Sequence, residues 1–130
     1  MAGRPPERSG FHNFLRYWLP VLLYVTIIIS LSAQPNLKPP LRFHNADKLY
    51  HFAEYLGLGL LLARALRATL RVRMPLFAAM MALGIGMAVG ASDEIFQSTV
   101  PGRESSVFDF LADSAGVMIA QLIYLFFARD

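Results

Sequence analysis

Residues of the kinds that carry out acid–base chemistry recur at helical spacing near the middle of the chain. Asp47, His51 and Tyr55 are four residues apart, so on a helix they share one face, with Glu54 beside it. Because histidine changes charge near neutral pH, this set could act as a general acid and base, with Asp47 orienting His51. The alternative is an acid that begins a helix and a buried, hydrogen-bonded histidine.

A second set of polar residues lies on both sides of one loop and is mostly acidic. It comprises Asp93, Glu94, Gln97, Asp109 and Asp113. These acids could bind a ligand or share a divalent ion, or they could form an ion-pair network with Lys48 and Arg103 that holds helix ends together. We assign no metal ligand from the sequence, because the chain has no cysteine and His51 is the only histidine close to these acids. No cofactor can be named.

The loop between the acids contains Pro101, Gly102 and Arg103. A guanidinium at such a turn could bind a phosphate, the group that lipid-linked precursors carry. The alternative is a tight turn in which Arg103 pairs with Glu94 or Asp109. Both interpretations remain open from the sequence.

The composition indicates a membrane environment for these residues. Hydrophobic residues make up 55% of the 130 residues and charged residues 16%, whereas soluble domains have about 25% charged residues. The absence of cysteine excludes disulfides and thiolate chemistry. The net charge of +3 comes mainly from arginines placed between apolar runs, which indicates topology signals in a lipid bilayer and not a nucleic-acid partner.

Four apolar runs are long enough, or nearly so, to cross a bilayer, which takes about 20 helical residues. They cover residues 14–32, 47–66, 76–91 and 107–127. Helices satisfy their own backbone hydrogen bonds in lipid, and the runs show no strand-like alternation. We therefore predict an all-α membrane protein, a four-transmembrane-helix bundle over residues 14–130, after a disordered cytoplasmic tail over residues 1–13.

Basic residues predict the orientation, because they favour the cytoplasmic side. With both termini inside, the inner segments hold Arg4, Arg8, Arg16, Arg64, Arg67, Arg71, Arg73 and Arg129, and the outer segments hold Lys38, Arg42, Lys48 and Arg103. This distribution places both termini in the cytoplasm and the polar residues at the outer face of the inner (cytoplasmic) membrane. The first run could instead be a cleaved signal peptide, since small residues such as Ser30 and Ser32 end it.

Small residues at four-residue spacing predict where the helices pack. The third run has Ala78, Ala82, Gly86 and Gly90, and the fourth has Ala112, Gly116 and Ala120. These two helices are expected to meet through the stripes, or each to meet another helix. Both stripes continue into the acidic residues, which we therefore expect on packing faces and not toward lipid.

Three blocks of these residues resemble the VanZ-like family and together span nearly the whole chain. They are Trp18–Pro20 with Ser30–Pro35; Asp47–Tyr55; and Asp93–Gln97 with Pro101–Arg103, Asp109, Asp113 and Gly116. The family usually has asparagine after the alanine of the last block, whereas Ala112 is followed here by Asp113. The resemblance implies a membrane protein of the cell envelope, and the founding member is associated with resistance to the glycopeptide antibiotic teicoplanin.

We therefore expect an outward-facing polar site that binds or modifies a cell-envelope component, either a lipid-linked precursor or a glycopeptide. Catalytic candidates are His51, Asp47, Tyr55 and Asp93, and ligand-binding candidates are Lys48, Glu94, Gln97, Arg103, Asp109 and Asp113. One alternative is a membrane enzyme that uses His51 with Asp47 or Asp93 in acid–base or metal-assisted chemistry. Another is a structural protein in which these polar residues only hold helices together.

Overall fold

The computed structural model describes residues 10–38, 40–70 and 74–127, and these fold into four long helices with no strand among them. We name them α1 (Gly10–Ser32), α2 (Ala46–Leu70), α3 (Pro75–Gln97) and α4 (Val107–Phe127). The backbone of α1 is π-helical over Phe14–Trp18. The predicted all-α class is confirmed for this part of the chain.

The helix bounds differ from the sequence prediction mainly where polar residues continue a helix. α3 ends at Gln97 instead of residue 91, because Asp93, Glu94 and Gln97 are buried against neighbouring helices and stay helical. α2 likewise continues to Leu70, and α1 already begins at Gly10, inside the predicted tail. The rest of that tail, residues 1–9, lies outside the described residues.

Three of the helices, α1, α3 and α4, are long and apolar enough to cross a membrane. α2 has 25 residues but carries more charge than these three, with Asp47 and Lys48 near its beginning and Arg64 and Arg67 near its end. The structure thus supports a membrane protein with three apolar helices of membrane-spanning length.

Helix α2 lies against α4 through glycines that allow close backbone contact. A methyl group added at Gly59 would lie 2.6 Å from the Cβ of Ala120 and 3.0 Å from the Cα of Val117. One added at Gly116 would collide with the backbone of α2 at Phe52 and Leu56. The predicted stripe on α4 is therefore a packing face, and its partner is α2.

The stripe on α3 faces α4. Ala78 and Ala82 are buried, and a methyl group at Gly86 would lie 2.7 Å from both γ-carbons of Val117. At Gly90 the added group would lie 3.3 Å from Asp113. The two stripes therefore do not meet each other: α3 uses its stripe against α4, and α4 uses Gly116 and Ala120 against α2.

Candidate functional site

The polar residues of all four helices gather at one end of the bundle, where α1 and α3 end and α2 and α4 begin. Contacts between the helices define this end: Gln97 of α3 donates to Ser32 of α1, and Lys48 of α2 donates to Asp109 of α4. Asp93, Glu94, Asp109 and Asp113 are all buried, as the continuing stripes predicted. Residues far apart in sequence are thus close in space.

His51 lies at the centre of this polar cluster. Its Nδ1 atom is 2.9 Å from Oδ1 of Asp113 and 3.7 Å from Oε1 of Glu94, and its Nε2 atom is 3.9 Å from Oδ2 of Asp109. The imidazole is largely buried, and carboxylates of both α3 and α4 lie next to it. Such a group can exchange a proton, ligate a cation or hold the helices together.

The predicted pairing of Asp47 with His51 is wrong. Asp47 is half-exposed and bonds Lys48, whose Nζ atom is 3.0 Å from Oδ2 of Asp47 and 3.1 Å from Oδ1 of Asp109. The hydrogen-bonded partner of His51 is Asp113, which lies 62 residues further along the chain. Lys48 has the ion-pairing role that the sequence suggested, and it links α2 to α4.

Glu94 joins the end of α3 to the beginning of α4. Its Oε2 atom accepts hydrogen bonds from the Ser106 backbone N–H at 3.1 Å and from the Ser105 hydroxyl at 3.4 Å. Its Oε1 atom is buried, faces His51, and has no hydrogen-bond partner among the described residues. The Oδ2 atom of Asp113 is also buried and has no hydrogen-bond partner among the described residues. The two serines were missed in the sequence, although they directly precede α4, where capping residues are common.

Asp93 and Gln97 form a separate buried network. Gln97 Nε2 donates to Asp93 Oδ2 at 3.2 Å and to the Ser32 hydroxyl at 3.1 Å. Asp93 shows no ion pair with His51, so its predicted pairing with that histidine is not observed. Tyr55 is fully buried one turn below His51, beside Gly90 and Asp113. These residues support the cluster from beneath.

Arg103 binds the end of α1. Its Nη1 atom donates to the carbonyl oxygens of Leu31 at 3.3 Å and Gln34 at 3.4 Å. A cation at this place satisfies carbonyls left unpaired at a helix C-terminus and complements the helix dipole. The pairing with Glu94 or Asp109, one of the two alternatives left open by the sequence, is not observed among the described residues. Gly102 beside it has φ +77° and packs closely against Asn36, so a larger residue would be strained there.

A cavity of about 720 Å³ opens beside the cluster, between α1, α2 and the two loops. Its polar lining includes Lys38, Asp47, His51, Glu54, Arg103 and Asp109. Its apolar lining comes mainly from α1 and includes Ile27, Ile28 and Leu31. Tyr24, which was also missed in the sequence, lines the cavity, and its hydroxyl donates a hydrogen bond to the Glu54 backbone carbonyl at 2.8 Å. A tyrosine inside an apolar run was the signal for it, since buried hydroxyls need partners.

The fold and the site together define a small helical membrane protein with a polar cluster at one end of its bundle. A family model described as VanZ/LLP1 matches residues 6–128, nearly the whole chain, and the chain belongs to this family. The resemblance seen in the sequence is thereby confirmed. No curated protein and no solved structure matches the chain significantly.

Two of the three sequence blocks that carry the resemblance are in direct contact. Lys48 and His51 belong to the second block, whereas Asp109 and Asp113 belong to the third. Asp113, at the position where the resemblance implies an asparagine, is the residue that hydrogen-bonds His51. The departure from the family pattern therefore lies at the centre of the polar cluster.

Proposed function

We propose that the protein binds an anionic, lipid-linked component of the cell envelope in the cavity beside the polar cluster. The observation that carries the proposal is the lining of this cavity, which is polar at one end and apolar along α1. The polar end places the cations Lys38 and Arg103 beside four acids, Asp47, Glu54, Glu104 and Asp109. An amphiphile with a phosphate and a long hydrocarbon chain has the same division. Ligand sites of this kind combine an apolar wall with a few polar groups that set orientation.

The polar end offers Lys38 and Arg103 to a phosphate. Arg103 has five N–H donors, and the two bonds to α1 use only Nη1, so the same guanidinium can hold the helix end and an anion together. The hydrocarbon chain would lie along Ile27 and Leu31, whose side chains are 56% and 43% exposed and continue from the cavity to the outer surface of α1.

The proposal includes a topology in which α2 is a fourth membrane span. Its apolar residues Leu58, Leu62 and Leu66 are buried inside the bundle, and its charges lie toward its two ends. α2 therefore does not need lipid-facing apolar residues all round in order to cross. Both termini would be cytoplasmic, and the polar site would face outward from the inner membrane, as the excess of basic residues on the opposite side favours.

Binding can be tested with the purified full chain in nanodiscs, using a long-chain polyprenyl phosphate and the corresponding alcohol. We expect the phosphate to bind at least tenfold more tightly, about 1.4 kcal/mol, and Arg103→Gln to remove most of that difference. Arg42→Gln is the matched control, because Arg42 is an exposed cation in the loop between α1 and α2, at the same end of the bundle, and does not line the cavity. Equal affinity for phosphate and alcohol would refute the proposal.

A glycopeptide that reaches the membrane is an alternative occupant of the same site. In that case, expression of the protein would raise glycopeptide tolerance, including tolerance to teicoplanin, and His51→Ala would abolish the effect at unchanged membrane abundance. Loss of abundance instead would indicate a structural role for the cluster.

The hydrogen bond between His51 and Asp113 favours one second candidate, a membrane enzyme. A carboxylate that orients a histidine allows the ring to act as a general base or acid, and the cavity would bring the substrate to it. Turnover of a lipid-linked phosphate by the wild type, lost in His51→Gln while binding is retained, would distinguish the enzyme from a binding protein.

A further inference from the structure

We propose that His51, Glu94 and Asp109 bind a divalent cation, with Asp113 positioning His51. The three residues come from three different helices, α2, α3 and α4. One ligand atom of each lies within 4.8 Å of the others. Zn²⁺ binds nitrogen and oxygen ligands at about 2.0–2.2 Å with tetrahedral geometry, so its ligand atoms lie roughly 3.4 Å from one another. The side chains therefore need only small movements to bind such an ion.

An unpaired oxygen is the independent sign of a missing partner. Glu94 is 6% exposed, and its Oε1 atom points toward His51 without a hydrogen bond from any described residue. A buried carboxylate oxygen of this kind has lost its hydrogen bonds to water and forms none with the protein, which is energetically costly. The nearest ring atom of His51 in the ion-pair contacts, Nδ1, lies 3.7 Å away, too far for a hydrogen bond, so this oxygen is left for another partner such as an ion.

Asp113 gives His51 the orientation that metal ligation needs. Its Oδ1 atom is 2.9 Å from Nδ1 of the ring, so the ring proton is best placed on Nδ1 and the lone pair on Nε2. A ligating histidine commonly donates its other N–H to a carboxylate, which fixes the ring and strengthens the ligand. The freed Nε2 is 3.9 Å from Oδ2 of Asp109, the second proposed ligand.

The local charge also favours a cation. Among the ion pairs of the described residues, Lys48 is the only lysine or arginine that contacts these carboxylates, and it binds the other oxygen of Asp109. Arg103 is engaged with α1 instead. Among the described residues, Lys48 thus pairs with Asp109 but with neither Glu94 nor Asp113, and a divalent ion would supply further positive charge.

The cavity provides an entry path and room for further ligands, since His51 and Asp109 line it. Three protein ligands leave coordination positions for water or for an oxygen of a bound phosphate. The cation site depends on protein side chains alone. Only its further role, to hold the phosphate beside Arg103, rests on the proposed function.

The test uses the full chain in detergent. The chain is first treated with a chelator and is then exposed to Zn²⁺ or Mn²⁺ alone. We expect one ion per chain by native mass spectrometry, and at least a tenfold loss of affinity in His51→Ala, Glu94→Gln and Asp109→Asn. His44→Ala is the matched control, since His44 is an exposed histidine that does not line the cavity. Absence of a stoichiometric ion, or equal binding by all four variants, would overturn the proposal.

A spectroscopic measurement distinguishes the loss of a metal ligand from the loss of the fold in the variants. Co²⁺ bound to the wild type should show visible absorption bands that change in His51→Gln, and Asp113→Asn should weaken binding about 10–100-fold with the bands retained. Identical spectra for the wild type and His51→Gln would exclude the histidine as a ligand. Polyprenyl phosphate is then titrated with and without chelator. Metal binding without lipid binding refutes only the proposed function, and lipid binding without metal binding refutes only this inference.

Discussion

At the scale of single residues, the contacts of His51 decide what the site can do. Its ring is bonded to Asp113 and lies within 4 Å of Glu94 and Asp109. Lys48 neutralises Asp109 from the other side. The residue that the sequence placed beside His51, Asp47, instead lies half-exposed and bonds the same lysine. The chemistry of the cluster is therefore set by residues of α4 more than by those of α2.

Substitution of Asp113 separates the hydrogen bond from the charge. An asparagine carbonyl can accept the same N–H from His51, so Asp113→Asn should change the free energy of unfolding by less than about 1 kcal/mol. Asp113→Ala should cost about 1–3 kcal/mol, because it leaves a buried N–H unpaired. Denaturant titration in detergent measures both. Equal destabilisation by the two variants would show that the hydrogen bond is not what Asp113 contributes.

At the scale of the helices, close contact between α2 and α4 positions the cluster. Gly116 lies three residues after Asp113 on α4. It packs against the α2 backbone at Phe52, which is the residue directly after His51. Any separation of the two helices here would therefore stretch the contact between His51 and Asp113. Packing and chemistry are linked along this face.

Gly116→Ala tests the link. The added methyl group meets backbone atoms of α2, which cannot move aside as a side chain can, so we expect destabilisation of about 1–3 kcal/mol. Ligand or cation binding at His51 should weaken as well. Gly84→Ala is the matched control, because nothing lies within 4 Å of a methyl group there, and helix propensity alone should make it neutral or stabilising. If Gly116→Ala is equally harmless, the helices are not in close contact.

At the scale of the whole molecule, the topology determines which compartment the site faces. The chain has no cysteine, so single cysteines can report accessibility without background. We expect a membrane-impermeant maleimide to label Glu104→Cys in intact cells, and Met74→Cys only after permeabilisation. Both positions are exposed and lie at opposite ends of the bundle. Labelling of both in intact cells, or only of Met74→Cys, would refute the outward-facing site.

The features of this protein that could be predicted from the sequence depend on local sequence patterns. Apolar runs of bilayer length predicted the helices, the Pro101–Arg103 turn predicted the loop after α3, and small-residue spacing predicted that the acids are buried. The resemblance carried by Asp47–Tyr55 and by the third block predicted the family. Each of these features depends on residues close together in sequence, or on residue type alone.

The tertiary structure decided which groups meet. Spacing put Asp47 and His51 on one helical face, yet Asp113 bonds the histidine, and Arg103 binds carbonyls of α1 instead of an acid. Hydrogen bonds and ion pairs form over about 3–4 Å, and which groups come that close depends on how neighbouring helices are rotated and how near they approach. Helical periodicity fixes the face on which a residue lies, but not the residue on the next helix that it meets.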